Sequence, residues 1–446
     1  MIDAQIETAL KLGRPNELMV YLHLPFCSTR CGYCDFYSET DVGEARIDAT
    51  LRGILREAEW YKNIYPNAHV SSLYLGGGTP SLVPCKLLAP FLGRLARLFA
   101  PVNYGAAETS VDVFEWSFEA NPESLDPEKL AVLAESGVNR LSLGIQSFED
   151  RFLRALDRQA DSSMVRQALE AVQQNGSFQL SLDLMTGLPG QSHVDVAADV
   201  HRVLTYAPQH ISLYSLTVEQ GTPLDRQINE GLVSLGAPSH RDNLWETAAA
   251  LLRRHGYRQY EISNFCLPGK HARHNSGYWR GRPYIGLGPG AVGTLPLAVA
   301  SSVVAAEVPA VAPAVNSSAR AVRITNPGLL EYLRVMKSQD APGSAHTLEY
   351  LSFQDLLLER FLLGLRTSEG VRLGVCAGEF GIDEAHLRAV LESWEGAPYL
   401  DRRSFAAGRA VLRRGGRMLL DRLLPDFAVR LESLVIKSCV SKPGNK

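Results

Sequence analysis

An α/β chain is expected here: a partial β/α barrel followed by a smaller helical, winged-helix-like domain. Three observations predict it. Short apolar runs alternate with longer stretches of helical spacing through the first half, which implies βαβ units and a parallel sheet. A polar or glycine-rich feature follows each of five successive runs, and a β/α barrel builds its active site at those strand ends. Helical periodicity then returns from about Leu329 onward. A doubly wound open sheet is the alternative architecture.

The runs read as strands are Met19–Leu24, Ser72–Leu75, Glu115–Glu119, Arg140–Gly144, Gln179–Leu184 and His210–Leu216. Between them, Ile47–Tyr61 puts Leu51, Ile54, Leu55 and Ala58 on one helical face. Pro127–Glu135 and Met164–Gln174 repeat that spacing, with Gly137 and Gly176 as stops. Residues 1–220 are therefore read as the barrel. Residues 221–294, rich in His, Tyr, Asn and Gly, form an extension. Residues 295–328 open on an Ala/Val/Pro/Ser-rich stretch (295–321) read as linker or insertion. Residues 329–440 make the C-terminal domain, with helices at Asp355–Leu365, Ala385–Trp394 and Leu419–Leu431, the last kinked or broken at Pro425. Arg402–Leu412 and Gly416–Leu419 are expected to pair as a short β-wing, and the KPGNK tail to be disordered.

A chain of 446 residues with 46% hydrophobic and 21% charged residues can bury a large core. A net charge of -3 argues against a polyanion partner, so no nucleic acid is expected. The N-terminal stretch lacks a basic region followed by an apolar core, so no signal peptide is read there. The apolar stretch from Leu295 to Val315 is interrupted by Pro296, Glu307, Pro309 and Pro313 and makes a poor membrane span. A reducing cytoplasm is expected, with at most peripheral membrane contact.

Cys27, Cys31 and Cys34 are spaced C-x3-C-x2-C in one loop after the first strand. Three thiolates so close can hold three irons of a cubane and leave the fourth open. A zinc site would want a fourth ligand, and the other cysteines, Cys85, Cys266, Cys376 and Cys439, are scattered. A disulfide would leave one loop thiol over. Zinc and no metal at all remain as alternatives to the iron–sulfur reading.

Further features lie at the other strand ends. Gly76–Gly78 let backbone approach a ligand closely, although a run of glycines also suits a plain turn. Glu119 ends the third run and serves equally a ribose or a salt bridge. Asp183 ends the fifth and could instead cap a loop. His274, beside Tyr278 and Trp279, has the chemistry of an axial haem ligand, yet a lone histidine among aromatics is more often structural. His23, His271 and Cys266 are weaker candidates of the same kind.

The segments YLHLPFC, CGYCDF, GGGTPS, SFEANPES, RLSLGIQSF, DLMTGLPGQ and YEISNF…RHNSGYW, in this order, resemble the HemN/HemW group of radical S-adenosylmethionine (SAM) proteins, over about residues 18–293 and more loosely around ERFLLGLRTSEGV. The resemblance implies a radical-SAM barrel, a 4Fe–4S cluster on Cys27, Cys31 and Cys34, and SAM. It implies SAM contacts from Tyr21, Tyr33, Gly77, Gly78, Thr79, Glu119, Gln146, Arg158 and Asp183. The oxidase branch carries a fourth cysteine two residues after the third, where this chain has Phe36, and RHNSGYW is typical of the HemW branch. That branch implies a haem chaperone, with haem as cargo, an acceptor protein, and a reductant such as a flavodoxin or ferredoxin. The rival is oxygen-independent coproporphyrinogen III oxidation, and a third reading is radical chemistry on an unrelated small substrate. The chain departs from the pattern at Asp157-Arg158-Gln159-Ala160 and Gly288-Pro289-Gly290-Ala291-Val292-Gly293, each lacking the family's histidine.

Overall fold

The computed structural model describes residues 15, 17–101, 114–297 and 319–440, with only the backbone described at 434–440. Within them, β1 (Glu17–Leu24), β2 (His69–Gly77), β3 (Glu115–Ala120), β4 (Arg140–Gln146), β5 (Gln179–Thr186) and β6 (His210–Ser215) take up the six expected runs. They pair in chain order and all parallel. Sequential order excludes the doubly wound sheet, whose order reverses at a switch point.

Register explains the fold's two faces. One row runs Leu22–Leu75–Phe118–Leu141–Leu180 across five strands, every member buried. It packs outward on helices Glu44–Ile64, Cys85–Phe99, Pro127–Ser136 and Ser162–Asn175. Each such side chain stabilises the fold by about 1.5–3 kcal/mol. The alternate row is polar or aromatic and faces inward: Tyr21 pairs with Tyr74, Tyr74 with Ser117, Glu119 with Ser142, and Asp183 with Ser212.

Local chemistry sets the helix ends. Asp126 and Asp161 accept the backbone N–H of Lys129 and Met164 as N-caps. Gly137 and Gly176 stop their helices at φ +99° and +70°, conformations a side chain would resist.

The parallel strands do not close on themselves. β6 pairs antiparallel with β8 (Asn264–Cys266), which pairs with β7 (Arg258–Gln259). At the other edge β1 pairs with β9 (Tyr284–Leu287), followed by β10 (Val292–Pro296), β11 (Ala319–Thr325) and β12 (Thr347–Ser352). The stretch read as linker thus contributes strand at both of its described ends. Its residues 298–318 lie outside the described residues, as do the N-terminal stretch before residue 15 and the KPGNK tail. Helix Leu329–Lys337 buries Tyr332 in the barrel's core.

A second core begins at helix Phe353–Leu365 and gathers Phe361, Trp394 and Phe427. Two expectations are corrected there. The last helix runs unbroken from Leu420 to Val440. Pro425 lies near its start and removes one intrahelical bond, while Leu420, Leu423 and Phe427 anchor the segment in the core. The wing also differs. Arg402–Ala406 is helical, because Asp401 caps it by accepting the Ser404 N–H. The two-stranded pairing joins Val371–Arg372 with Arg409–Ala410 instead. Among the described residues no helix is long and apolar enough to cross a membrane.

Candidate active site

The cluster loop is tied down from three sides. Cys27 N–H donates to Glu39 O at 3.0 Å, Gly32 N–H to Leu156 O at 3.1 Å, and Gly32 O accepts Leu224 N–H at 2.8 Å. A Cβ on Gly32 would meet Asp157 Oδ2 at 2.6 Å, so a larger residue there would displace the Asp157 carboxylate. The glycine loop after β2 lies against the cluster loop. Gly78 N–H donates to Leu24 O and Thr79 N–H to Phe26 O, at 2.9 and 2.7 Å. A side chain on Gly78 would strike the Phe26 carbonyl, so close backbone approach selects glycine here.

These loops ring a cavity of about 530 Å³ over the C-terminal ends of the strands. Cys27, Cys31, Cys34, Tyr33, Gly77, Gly78, Thr79, Glu119, Gln146, Arg158 and Asp183 all line it. Of the sequence-expected SAM contacts only Tyr21 is not brought there. It sits mid-strand on the inward face, its hydroxyl 2.9 Å from His23 Nδ1 and its ring 6.1 Å from Tyr74.

Burial first, and then neighbouring thiols, hold Cys27 above the ordinary thiol range; burial also raises Cys34. Both are therefore protonated in the metal-free protein, and a metal would displace those protons. Burial raises Glu119 to about 7, with nearby Asp183 adding to the shift, and raises Asp183 to about 6. Glu119 accepts from the Tyr74 hydroxyl and from Gly77 N–H. Ser142 donates to Asp183.

Three polar atoms around the cavity are buried without a protein partner: Gln146 Oε1, Arg158 Nε and Glu123 Oε2. Gln146 also holds φ +60° at a register shift between β4 and β5. A non-glycine residue kept there stores strain of order 1–3 kcal/mol, which clusters at ligand sites. The residues thus fit a polar ligand, and the thiols at the same cavity fit a cluster. Among the described residues no three His, Cys, Asp or Glu side chains are grouped to hold a single ion.

His274, expected as a possible haem ligand, does not line the cavity. Its side chain is fully buried, 0% exposed, at the opposite end of the barrel interior. Nδ1 lies 2.9 Å from Ser72 Oγ and Nε2 lies 2.9 Å from the Tyr278 hydroxyl. Burial lowers it to about 3, so it is neutral, yet neither nitrogen faces open space. Helix Arg273–Trp279 is a joint: Glu115 accepts the N–H groups of Arg273 and His274, and Arg366 covers the Trp279 ring. His23 is engaged at both nitrogens too, by Tyr21 and by the Tyr37 carbonyl. Cys266 is a buried thiol on β8, and His271 packs on Tyr260, neither at the cavity.

Several lining residues had no role assigned from sequence: Asn121, Glu123, Met185, Tyr214 and Gln159. Met185 and Tyr214 are register partners at the ends of β5 and β6, and Asn121 and Glu123 follow β3. The strand-end rule that located Glu119 and Asp183 applies equally to them. Phe36, also at the cavity, is 70% exposed.

Comparison with known proteins agrees with this geometry. The radical SAM superfamily profile matches residues 21–203. The protein named Heme chaperone HemW from Lactococcus lactis subsp. lactis is 34% identical over 285 residues, covering 64% of this chain and 71% of that one. Heme chaperone HemW from Mycobacterium tuberculosis is 39% identical over 281 residues, covering 61% and 68%. Among solved structures, coproporphyrinogen III oxidase (HemN) from Escherichia coli, a radical SAM enzyme, superposes with a TM-score of 0.73 at 19% identity, over 96% of this chain and 93% of that one. With a sequential parallel barrel, three thiols at its open end and relatives at this level of identity, the chain belongs to the HemN/HemW group of the radical SAM superfamily.

Proposed function

We infer that this protein is a haem chaperone: it holds a 4Fe–4S cluster and SAM, binds haem, and passes haem to an acceptor protein. The observation that carries the reading is the residue two places after Cys34. There Phe36 stands 70% exposed at the cavity, where the oxidase branch has a fourth cysteine. The haem chaperones of L. lactis and M. tuberculosis support the same branch. Likeness to coproporphyrinogen III oxidase at 19% identity speaks for fold alone.

Cys27, Cys31 and Cys34 would hold the cluster. Gly77, Gly78 and Thr79 offer backbone and a hydroxyl to the amino-acid end of SAM, and Glu119, Gln146, Arg158 and Asp183 supply acceptors and donors around the rest. Tyr33, raised above its usual range by burial, offers an aromatic face for adenine. When bound, cluster and SAM supply one-electron cleavage of the sulfonium bond. The chain itself positions them and keeps water from the floor, where Glu119 and Asp183 each exchange a proton near neutral pH. A flavodoxin or ferredoxin suits as reductant, and the cytoplasm as location.

The test is an anaerobic haem titration of the cluster-loaded protein, followed by the Soret band. Saturable binding near one haem per chain is expected. No saturable binding would overturn the chaperone reading, and turnover of coproporphyrinogen III would install the oxidase one.

A further inference from the structure

The family resemblance directs Arg158 and Thr79 at SAM, yet in this structure both reach for sulfur. Arg158 Nη1 donates toward Cys31 Sγ at 3.7 Å, and Thr79 Oγ1 lies 3.8 Å from Cys27 Sγ. Between them stands Asn121. Its Oδ1 accepts from Arg158 Nη2 at 3.1 Å, and its Nδ2 donates to Thr79 Oγ1 at 3.1 Å. Arg158 Nη2 also donates to Gly144 O at 2.6 Å, so the guanidinium is clamped from two directions.

The polarity of this chain follows from its ends. An arginine has donors only, so Asn121 must turn its carbonyl oxygen toward it. That leaves the amide N–H groups facing Thr79 and Glu123. Thr79 Oγ1 accepts the amide hydrogen, and its own hydroxyl hydrogen is then free to point at Cys27. Each end of the run thereby has a donor for a cysteine: Arg158 for Cys31 at one end, Thr79 for Cys27 at the other.

We propose that Arg158, Asn121 and Thr79 form a hydrogen-bonded bracket that raises the reduction potential of the cluster, with Asn121 as a positioning residue that holds both donors on the sulfurs. The physical reason is charge. A reduced cluster carries one more negative charge than the oxidised one. A fixed cation and N–H or O–H donors at its sulfurs stabilise that form, and such contacts set iron–sulfur potentials. Arg158 is suited to it: part-buried, planar, and held by bonds a lysine could not reproduce. Its charge sits beside the Cys31 sulfur. The bracket also joins three separate loops, after β2, after β3 and after helix Asp150–Ala155, so two of the three thiols are set in place before metal arrives.

The proposal rests on the reading of Cys27, Cys31 and Cys34 as cluster ligands, and the experiment separates the two. Wild-type protein and the variants Arg158→Met, Arg158→Lys, Asn121→Ala and Thr79→Val are reconstituted anaerobically. Iron per chain is measured, and the cluster is titrated with mediators while its reduced EPR signal is followed. The expected order of midpoint potentials is wild type highest and Arg158→Met lowest. Asn121→Ala should fall between them because the charge remains but its aim is lost. Wild-type protein without a cluster would sink the ligand reading and the bracket together. A wild-type cluster whose potential is shared by Arg158→Met would overturn the bracket alone. Should Arg158→Met fail to load, Thr79→Val decides. It keeps the shape and removes one sulfur donor, so a lowered potential supports the bracket and an unchanged one overturns it.

Discussion

The two ends of the barrel interior carry similar residues and opposite arrangements. At one end His274 and His210 have both ring nitrogens bonded, to Ser72 and Tyr278 and to Ser181 and Tyr260. At the other end Gln146 and Arg158 keep buried polar atoms without a partner, and Gln146 is strained. A satisfied buried polar group specifies a fold; an unsatisfied one at a cavity waits for a ligand. Residue type alone does not separate the two. The inward row places polar side chains at every level of the barrel, and Ser117 Oγ, Arg140 Nη2 and Trp279 Nε1, away from the cavity, are unpartnered as well; the cavity and the strain at Gln146 together show which level is the site.

The largest test of that contrast is at the cavity mouth. Cys31→Ser should abolish the cluster, because two thiolates and a weak hydroxyl cannot hold a cubane. Iron per chain and the broad absorption near the visible–ultraviolet edge would fall to background after reconstitution. A variant that stays brown with undiminished iron would remove Cys31 from the ligand set.

The next test is at the closed end. His274→Ala should cost roughly 2–4 kcal/mol, since it leaves a cavity and strands the Ser72 and Tyr278 hydroxyls. Chemical denaturation would read this as a lower midpoint. Haem affinity of the folded variant should match wild type. A stable variant with weakened haem binding would reverse the comparison and restore His274 as a ligand.

These two residues also mark how far sequence reading reaches. The six parallel strands were legible because short apolar runs alternating with stretches of helical spacing leave few alternatives to βαβ units. The cluster loop was legible because three cysteines in eight positions have few other uses. The surroundings of His274 were not, because a histidine's role depends on whether its lone pair meets open space, and one of its two partners, Ser72, lies 202 positions away in the chain. Pro425 misled for a similar reason: its helix is held by contacts of Leu420, Leu423 and Phe427 with the second core. Asn121 follows β3 directly, but its bonds reach to Thr79 and Arg158, which lie on two other loops.

A smaller effect with two signs is expected at Gln146. Gln146→Gly removes the strain at φ +60°, so the metal-free chain should gain about 1 kcal/mol. The same change deletes the unpartnered acceptor, so SAM affinity should drop about tenfold, the worth of a hydrogen bond of about 1.4 kcal/mol. Calorimetry gives both numbers on one sample. Stability and affinity moving in the same direction would mean that the strain is not held for a ligand.

The smallest effect concerns pH, and its sign separates the ends again. Glu119, at about 7, and Asp183, at about 6, sit above the usual carboxyl range because burial disfavours their charged forms. In the unfolded chain both ionise near 4, so between about pH 4 and 7 the folded state binds more protons. Stability from these two groups is therefore fully present below about pH 4 and declines as pH rises through 6 to 7. Glu119→Gln should abolish the Glu119 share and flatten that decline. SAM, a cation at its sulfonium, should do the reverse of acid: it binds the ionised floor, so its affinity should rise from pH 6 to pH 8. His274, lowered by burial from 6.5 to about 3, gives the opposite slope: the unfolded imidazole binds a proton that the folded one does not, so its share of stability rises with pH up to about 6.5. A wild-type affinity that is flat from pH 6 to 8, or one that falls, would place the sulfonium away from these carboxyls and shift the cavity's charge recognition to Glu123 and its neighbours at the rim.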